Sequence, residues 1–459
     1  MAQPSGPILS RIARIRFPHP LILLVAGVLL AAIFTWILPA GEYNRTHDPV
    51  TDRDVVVAGT YHAVDAAPVG PFDALVAIPQ GMVEAGDVIF FVFLVGGAFA
   101  VVEATGALTR GMDGLLRVLH GREALVIPVI SIAFAAGGAL EHMQEEIIAL
   151  IPALLLLTRR LGYQPIVAVM MSIGAAVVGA AFSPIDPFMV GIAQKLAHLP
   201  VLSAAAFRIA FMLPALALWI WWTLRHARRT RVLPEEIAAE APRGTGGWRT
   251  GAILLVILAT FVVFVYGVWA LGWDFTQMAA IFFIMGVIAG ILGGLGVGGT
   301  AESFVDGFRA MAYAGLLIGF ARAITVVLQH GKVIDTVVNA MFTPLASVPV
   351  LASAAGMMVV HTVVHGPVPS VSGQAVLTMP VLVPLADLLG MARQVVVLAY
   401  QYGAGLCEMV TPTNGALMAI LAAAGVPYEK WMKAVLPLFG ILFVLGFLAV
   451  AVAIATGLR

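Results

Sequence analysis

The sequence predicts an all-α polytopic membrane protein built as two inverted repeats, with about nine spans of roughly bilayer length and two re-entrant hairpins. Three observations predict it: the composition, an in-register internal repeat centred on two proline-broken apolar segments, and two apolar stretches with polar middles. The chain is 61% hydrophobic and 11% charged, with a mean hydropathy of +1.00, whereas soluble domains carry about 25% charged residues. Lys and Arg (25) balance Asp and Glu (25), so no basic surplus points to nucleic acid. Cys407 is the only cysteine, which excludes an intramolecular disulfide and a cysteine metal cluster. It reads as a small packing residue.

The repeat carries the argument furthest. Ser183-Pro184-Ile185-Asp186-Pro187 aligns with Thr411-Pro412-Thr413-Asn414-Gly415 at an offset of 411 − 183 = 228. The same offset pairs Pro152 with Pro380, Gly162 with Gly390, Val167 with Val395 and Ile192 with Ile420. Proline removes a helix hydrogen bond and clashes with the preceding turn. In lipid the freed backbone groups must find other partners. Two such breaks at matching places in two halves are the best pointer to a transporter's binding site.

The expected spans fall at 20–38, 87–107, 165–197, 205–226, 251–271, 276–294, 313–330, 393–425 and 432–456. The stretches 124–158 and 345–388 each read as two apolar arms around a polar tip, and so as re-entrant hairpins. The first tip runs from Gly137 to Glu146, the second from His365 to Gln374. Gly81 to Gly106 resembles Gly307 to Gly331, each pairing a short amphipathic arm helix with a span. The second arm helix is expected over Ser303 to Ala312. The run from Leu21 to Leu38 follows Arg11, Arg14 and Arg16 and resembles a signal peptide, but its length and the lack of a small-x-small cleavage site favour an uncleaved first span.

Charge sets the topology, because cytoplasmic loops carry excess Arg and Lys. With the N-terminus inside and both hairpins re-entrant, Arg110, Arg117, Arg122, Arg159, Arg160, Arg225, Arg228, Arg229, Arg231, Arg243, Arg249, Arg309, Lys430 and Lys433 face the cytoplasm. The outer face receives Arg45, Arg53, Lys195, Lys332 and Arg459, and the C-terminus. The repeats are then 1–228, with a cytoplasmic-side hairpin and a broken helix at 183–187, and 229–459, with an outer-side hairpin and a broken helix at 411–415. The expected location is the bacterial inner (cytoplasmic) membrane. The polar stretches 41–71 and 225–249 are too short for an ATPase domain, and no Gly-x-x-x-x-Gly-Lys-[Ser/Thr] loop occurs. Energy must come from an ion or solute gradient, unless the protein is a channel.

At a helix break, free carbonyls suit a cation and free N–H groups suit a carboxylate. Ser183 and Asp186 stand at the first break; Thr411, Thr413 and Asn414 stand at the second. Ser370, Ser372 and Gln374 are at the second tip. A sodium ion would be held by Ser183, Asp186, Thr411 and Asn414. An isolated Ser or Thr more often bonds back to its own helix; the matched positions argue for ligation. Glu145 and Glu146 are candidate binding residues of the first tip, with Glu141 and His142 beside them. Glu141 and Glu145 share a helical face, as do His142 and Glu146. Glu408 lies three residues before Thr411. Carboxylates at bilayer depth are expensive and functional by default, although Glu141 and Glu145 at a wet rim would pair with Arg159 or Arg160. His365, with His361, flanks the second tip, either titrating or structural. Arg322, mid-span, needs a carboxylate from protein or solute. No nucleophile elbow or metal-ligand spacing points to an enzyme, and no cofactor is expected beyond Na+ or H+ as coupling ion. Asn44-Arg45-Thr46 matches a glycosylation sequon, a match chance suffices to explain.

These residues resemble the YfcC-type family, relatives of the DcuC four-carbon dicarboxylate carriers in the ion transporter superfamily. The likeness covers nearly the whole chain. It is carried by Phe182 to Phe188 through Ile192-Ala193-Gln194, by Ser370 to Ala375 through Met379-Pro380, and most specifically by Thr411 to Leu421 followed by Tyr428-Glu429-Lys430-Trp431. The family break more often carries Asn where Asp186 stands and Ser where Asn414 stands. The resemblance implies a homodimer whose protomers each contain a scaffold part and a transport part that slides as an elevator.

The leading expectation is a secondary active transporter in the lipid bilayer for a small carboxylate-bearing solute, coupled to Na+ or H+. Several carboxylates near the site favour an amine-bearing solute, an amino acid or short peptide, over a plain dicarboxylate. The alternative is an ion-independent exchanger of a basic amino acid or a C4-dicarboxylate. A channel or transporter-like sensor is disfavoured, because closed hairpin tips oppose a continuous pore.

Overall fold

The computed structural model describes residues 20–49, 53–108, 110–111, 125–200, 202–232, 247–271 and 273–458. Arg11, Arg14, Arg16, Arg117, Arg122, Arg243 and Arg459, and residue 124 at the start of the first expected hairpin, lie outside the described residues. Among the described residues the strands are confined to one polar segment, and the other regular elements are helices. Helix α1 (Pro20–Ile37) leads into two small antiparallel pairs. Strand β1 (Gly41–Glu42) pairs with β4 (His62–Ala63), and β2 (Arg45–Asp48) with β3 (Arg53–Val56). Then come α2 (Pro71–Glu84), α3 (Gly86–Ala104), α4 (Val126–Glu141), α5 (Glu145–Arg160) and α6 (Pro165–Ala181). A non-helical stretch precedes α7, a π turn over Pro187–Gly191 that runs into Ile192–Leu196. Helix α8 (Ala205–Arg229) closes the first half, and the second holds α9 (Trp248–Leu271), α10 (Phe275–Leu292), α11 (Gly296–His330), α12 (Ile334–Phe342), α13 (Val350–Val364), α14 (Val371–Leu388), α15 (Arg393–Cys407), α16 (Gly415–Ala423) and α17 (Tyr428–Thr456).

Local chemistry sets the helix ends. Pro71 opens α2 and Pro165 opens α6, where a missing N–H is no loss. Asp274 and Gln277 form a reciprocal capping box on α10. Helix α5 starts with Glu145 and Glu146 and ends with Arg159 and Arg160, both favourable to its dipole.

Among the described residues, six helices are long and apolar enough to cross a bilayer: α3, α8, α10, α11, α14 and α17. Five overlap expected spans, α11 starting 17 residues earlier than expected (313 − 296 = 17), while α14 belongs to the second hairpin stretch. The expected spans at 20–38 and 251–271 correspond to α1 and α9, and those at 165–197 and 393–425 to interrupted helices, α6 with α7 and α15 with α16. One expectation is corrected. Ser303 to Ala312 is not a separate arm helix; α11 runs unbroken for 35 residues from Gly296. By contrast, α2 and α3 are parted at Ala85, whose N–H folds back onto Gly81 and Val83 carbonyls.

Two packing groups share the chain. Helices α1, α2, α9 and α10 assemble with α3 and α11, around a cluster of Phe91, Phe99, Phe261, Phe264 and Phe282. Helices α4, α6, α8, α13, α14, α15 and α17 form the other group. The main seam between the groups is α16 against α11, with α5 against α3 beside it.

The β segment is pinned to α12. Asp335 is almost fully buried, and both its oxygens accept from Arg45 at 2.8 and 2.9 Å; one also accepts the Tyr43 N–H. Burial, then the Asp335 carboxylate, pushes the Tyr43 phenol up to about 12, so it stays a donor, here to Asn339. Asp335→Ala removes these acceptors. Because Arg45 is 43% exposed, the loss is about 1–2 kcal/mol rather than that of a buried pair. Limited proteolysis between Glu42 and His62 is expected to accelerate about ten-fold at unchanged melting of the helical body.

Candidate functional site

The site is assembled where two helix interruptions meet two interhelical turns. At the first interruption α6 stops at Ala181, and the Ser183 hydroxyl takes over backbone groups that lost helix partners. It donates to the Ala139 carbonyl at 2.6 Å and accepts the N–H groups of Ile185 and Asp186. Asp186, fully buried, caps the next turn: its Oδ1 accepts from the Phe188 and Met189 amides at 2.8 and 3.0 Å. This is ordinary N-cap chemistry, with Pro187 at the first position of the turn. At the second interruption α15 stops at Cys407, whose carbonyl accepts from the Thr411 hydroxyl. Asn414 caps α16 through the Leu417 amide.

The α4–α5 turn reaches both interruptions. Helix α4 ends at Glu141, and His142 adopts a left-handed backbone, φ 56°, which reverses the chain. Its imidazole lies between two carboxylates. Nδ1 is 2.7 Å from Asp186 Oδ2, and Nε2 is 3.2 Å from Glu408 Oε1. Gln144 ties the same groups from the other side: its amide donates to Glu408 Oε2 at 2.7 Å, and its carbonyl accepts from Asn414 at 3.0 Å. Glu146 caps the turn by accepting the Gln144 N–H. Because the helix stops at His142, Glu141 with Glu145, and His142 with Glu146, do not share a helix face; that expectation is corrected. Glu145, in the first turn of α5, is partly buried. Glu141, at the end of α4, is partly buried.

The α13–α14 turn touches the second interruption. Thr413 donates to the Gly366 carbonyl at 2.7 Å. Ser370 caps α14 through the Gly373 amide, is itself exposed, and lies 3.4 Å from the Ser372 hydroxyl. Behind it, Gln374 donates to the His361 carbonyl and accepts from His365 Nδ1. His365 is fully buried, and its Nε2 has no hydrogen-bond partner among the described residues. A cavity of about 380 Å³ opens beside this turn, lined by Val368 and Gly373, by Thr325 of α11 and Lys332 just beyond its end, and by Arg45 and Asp335.

The structure thus brings together Glu408, His142, Asp186, Ser183, Asn414, Thr413, and the two turns. It leaves Arg322 outside this hydrogen-bonded set. Its Nε donates at 2.8 Å to Glu84, at the end of α2. Yet Arg322 stands one helical turn from Ile318, which packs on Gly415, and one from Thr325, which bonds the Pro367 carbonyl, so it borders the second turn and interruption. The four residues expected for sodium are already engaged here: Ser183 with Ala139 and the Asp186 amide, Asp186 in a cap and with His142, Thr411 in a helix bond and Asn414 in a cap, and a sodium ion would have to displace those bonds. Sequence reasoning overlooked Gln144, Gln401 and Arg208. Gln401 donates to the Ser183 carbonyl at 2.8 Å, and its own oxygen accepts from Arg208, a fully buried cation whose other contacts are the Ser203 carbonyl and Gln394. A charge inside an apolar helix was the available signal.

The family C4-dicarboxylate anaerobic carrier, DcuC, matches the chain over residues 17–455. The chain is 31% identical to the Escherichia coli (strain K12) protein named "Putative basic amino acid antiporter YfcC", across 94% of this chain and 95% of that one. It is 28% identical to a Haemophilus influenzae "Uncharacterized protein", across 96% and 97%. Solved structures of the Alcanivorax borkumensis YdaH transporter and of Neisseria gonorrhoeae MtrF, from a class of antimetabolite efflux pumps, align at TM-scores of 0.42 and 0.40 and identities of 18% and 16%. They cover 96% and 97% of this chain, and 99% and 97% of their own.

Proposed function

The chain belongs to the DcuC family of C4-dicarboxylate anaerobic carriers, and from that membership we propose that it is a secondary active transporter of a small carboxylate-bearing solute, coupled to Na+ or H+, with an amine-bearing solute ahead of a plain dicarboxylate. The observation that carries this reading is His142 held between Asp186 and Glu408. One turn thereby joins carboxylates from both interruptions, and further carboxylates at 141, 145 and 146 crowd the same place. A dicarboxylate meets repulsion from those groups unless they are protonated or ion-bound, while a solute with both an amine and a carboxylate answers both halves of the site. Its amine goes to the acidic side. Its carboxylate goes to the N-terminal ends of α14 and α16, where Ser370, Ser372, Thr413 and Asn414 offer hydroxyl, amide and backbone donors.

In this reading the hairpins α4–α5 and α13–α14 are re-entrant, the halves 1–228 and 229–459 are inverted repeats, and the group containing α4–α8 and α13–α17 slides against the group containing α3 and α11 within a homodimer. The arms α4 and α5, at 16 residues each, support this, being short of the roughly 20 residues of a full span. The printed name of the Escherichia coli relative favours exchange of basic amino acids as the second reading.

The test is thermal shift on purified full-length protein with amino acids, dipeptides and C4-dicarboxylates, in sodium or choline, at two pH values. Ligand bound only to the folded state raises the melting point by mass action, about 2.7 kcal/mol at a hundred-fold excess over Kd. An amine-bearing solute is expected to stabilise, and Asn414→Ala to reduce that shift by at least half, because it removes both the α16 cap and the Gln144 contact. Stabilisation by succinate alone would reverse the solute preference.

A further inference from the structure

We propose that the groove between the end of α8 and the start of α17 binds the phosphodiester headgroup of an anionic phospholipid. The inference goes beyond the transporter reading above and needs only that the chain spans a bilayer.

The two helices meet at one end of the molecule, where the Trp222 indole N–H of α8 donates to the Ala434 carbonyl of α17 at 2.9 Å. The turn between α5 and α6 closes the same end. The Gly162 carbonyl accepts the Val232 N–H at 2.9 Å, the Arg231 guanidinium lies over the Tyr163 ring, and Gln164 accepts from Lys430 Nζ at 2.7 Å. A cavity of about 510 Å³ opens there, lined by Trp222 and His226 of α8 and by Glu429, Lys430 and Lys433 of α17.

Basic residues gather at the cytoplasmic ends of spans in general, so charge alone does not make a site. Two further observations do. The Nε2 of His226 is buried and has no hydrogen-bond partner among the described residues, a lack that is rare for a buried polar atom. Lys430 is held by a neutral amide, and Glu429, the one carboxylate in the lining, is taken by Lys433. The groove therefore keeps a surplus of positive charge and a spare ring nitrogen. A phosphodiester brings one negative charge and oxygens that only accept, which answers both lysines and a His226 tautomer with its proton on Nε2.

The surroundings favour a lipid over a free phosphate. Deeper along the same helices, Trp221 and Leu213 of α8 and Leu436, Ile441 and Val444 of α17 are exposed apolar side chains for acyl chains to cover. Trp221 carries the Arg225 guanidinium 5.5 Å from its ring centre, an aromatic and cationic pairing suited to the headgroup level. Basic pockets between spans recur as headgroup sites. The foot of α17 also braces the second interruption: the Tyr428 hydroxyl donates to the Val410 carbonyl, and the Trp431 indole N–H donates to the Met409 carbonyl at 2.7 Å. A headgroup held at this foot steadies that interruption, so its binding is readable as a rise in melting temperature.

The experiment is native mass spectrometry, with melting curves, on delipidated full-length protein given phosphatidylglycerol, phosphatidylcholine or inorganic phosphate. Phosphatidylglycerol is expected to bind at about one copy per chain and to raise the melting point, with phosphatidylcholine at least about ten-fold weaker. Lys433→Gln, at a side chain 53% exposed, is expected to fold and to weaken phosphatidylglycerol binding about five-fold, as is Lys430→Gln. Arg309→Gln, which removes an exposed cation of α11 outside the groove, is expected to bind as the wild type does. Melting without lipid checks that each variant folds. Equal binding of phosphatidylcholine, lysine variants that bind as the wild type does, or an equal loss in Arg309→Gln overturns the proposal. Equal stabilisation by inorganic phosphate at the same concentration overturns the lipid and leaves a site for soluble phosphate. None of these outcomes touches the transporter reading.

Discussion

Gly138→Leu and Gly179→Leu are each expected to leave no folded protein. Helices α4 and α6 cross with their backbones in contact. A Cβ on Gly138 would sit 2.0 Å from the Ala176 carbonyl oxygen, and one on Gly179 would sit 2.0 Å from that of Ala135. The contact is reciprocal: each glycine faces the backbone of the alanine one turn before the other glycine. No side-chain rotation relieves it, because the obstructing atoms are main chain on both sides. Close approach through small residues is how helices associate in lipid, where no hydrophobic force acts between them. Overpacking a core by a methylene or two costs about 1–3 kcal/mol; forcing two backbones apart along a whole crossing exceeds this and would also withdraw the Ala139 carbonyl from Ser183. Size-exclusion chromatography of the purified variants is the check. A monodisperse peak with wild-type melting for either leucine variant would show that the helices do not cross this closely. Alanine at the same positions is expected to be intermediate, with measurable loss of melting temperature.

The same glycines show how far the sequence can be read. Gly137 and Gly138 look like marks of a flexible polar tip, and both lie inside α4, one of them at a helix crossing. Whether a glycine serves a turn or a contact depends on what lies opposite, and Ala176 is remote in sequence. The turn instead falls at His142, where the chain takes a left-handed bend without glycine. The interruptions are more legible, because their chemistry is local. Ser183 and Asp186 before Pro187, and Thr411 and Asn414 before Gly415, carry stop and cap signals within five residues. The π turns at Met170–Gly174 and Pro187–Gly191 have no comparable mark.

Partnerships across long distances were the least legible. Arg322 requires a carboxylate by its position alone, but nothing in one sequence says that Glu84 provides it. Arg208 stands in an apolar helix, its burial and its contacts with Gln394 and Gln401 set by packing of α8 on the second half of the chain. Acidic residues at the first turn can be recognised as costly in lipid. That His142, rather than an arginine of the loops, would sit between Asp186 and Glu408 follows only from where two interruptions and one turn converge.

Asp186→Asn is expected to abolish transport, by at least about a hundred-fold, in a protein that still folds. The two oxygens of Asp186 do different things. Oδ1 caps the turn after the break by accepting the Phe188 and Met189 amides; Oδ2 faces His142. Asparagine keeps an acceptor for the cap and puts a neutral NH2 where Oδ2 stood. The cap survives, so stability is expected to fall by no more than the roughly 1 kcal/mol separating good N-cap residues from poor ones. The charge does not survive. One carboxylate, Glu408, is left to hold whatever cation occupies the position, and the NH2 group now opposes an imidazole N–H or a solute ammonium. Asp186→Ala separates the roles, since it loses cap and charge together and should melt lower than Asp186→Asn while transporting no better. The measurement is L-arginine counterflow in proteoliposomes for wild type and both variants, with melting curves on the same preparations. If Asp186→Asn transports at the wild-type rate, Asp186 is a helix cap and nothing more, and the cation position must be sought around Glu408, Glu145 and Glu146.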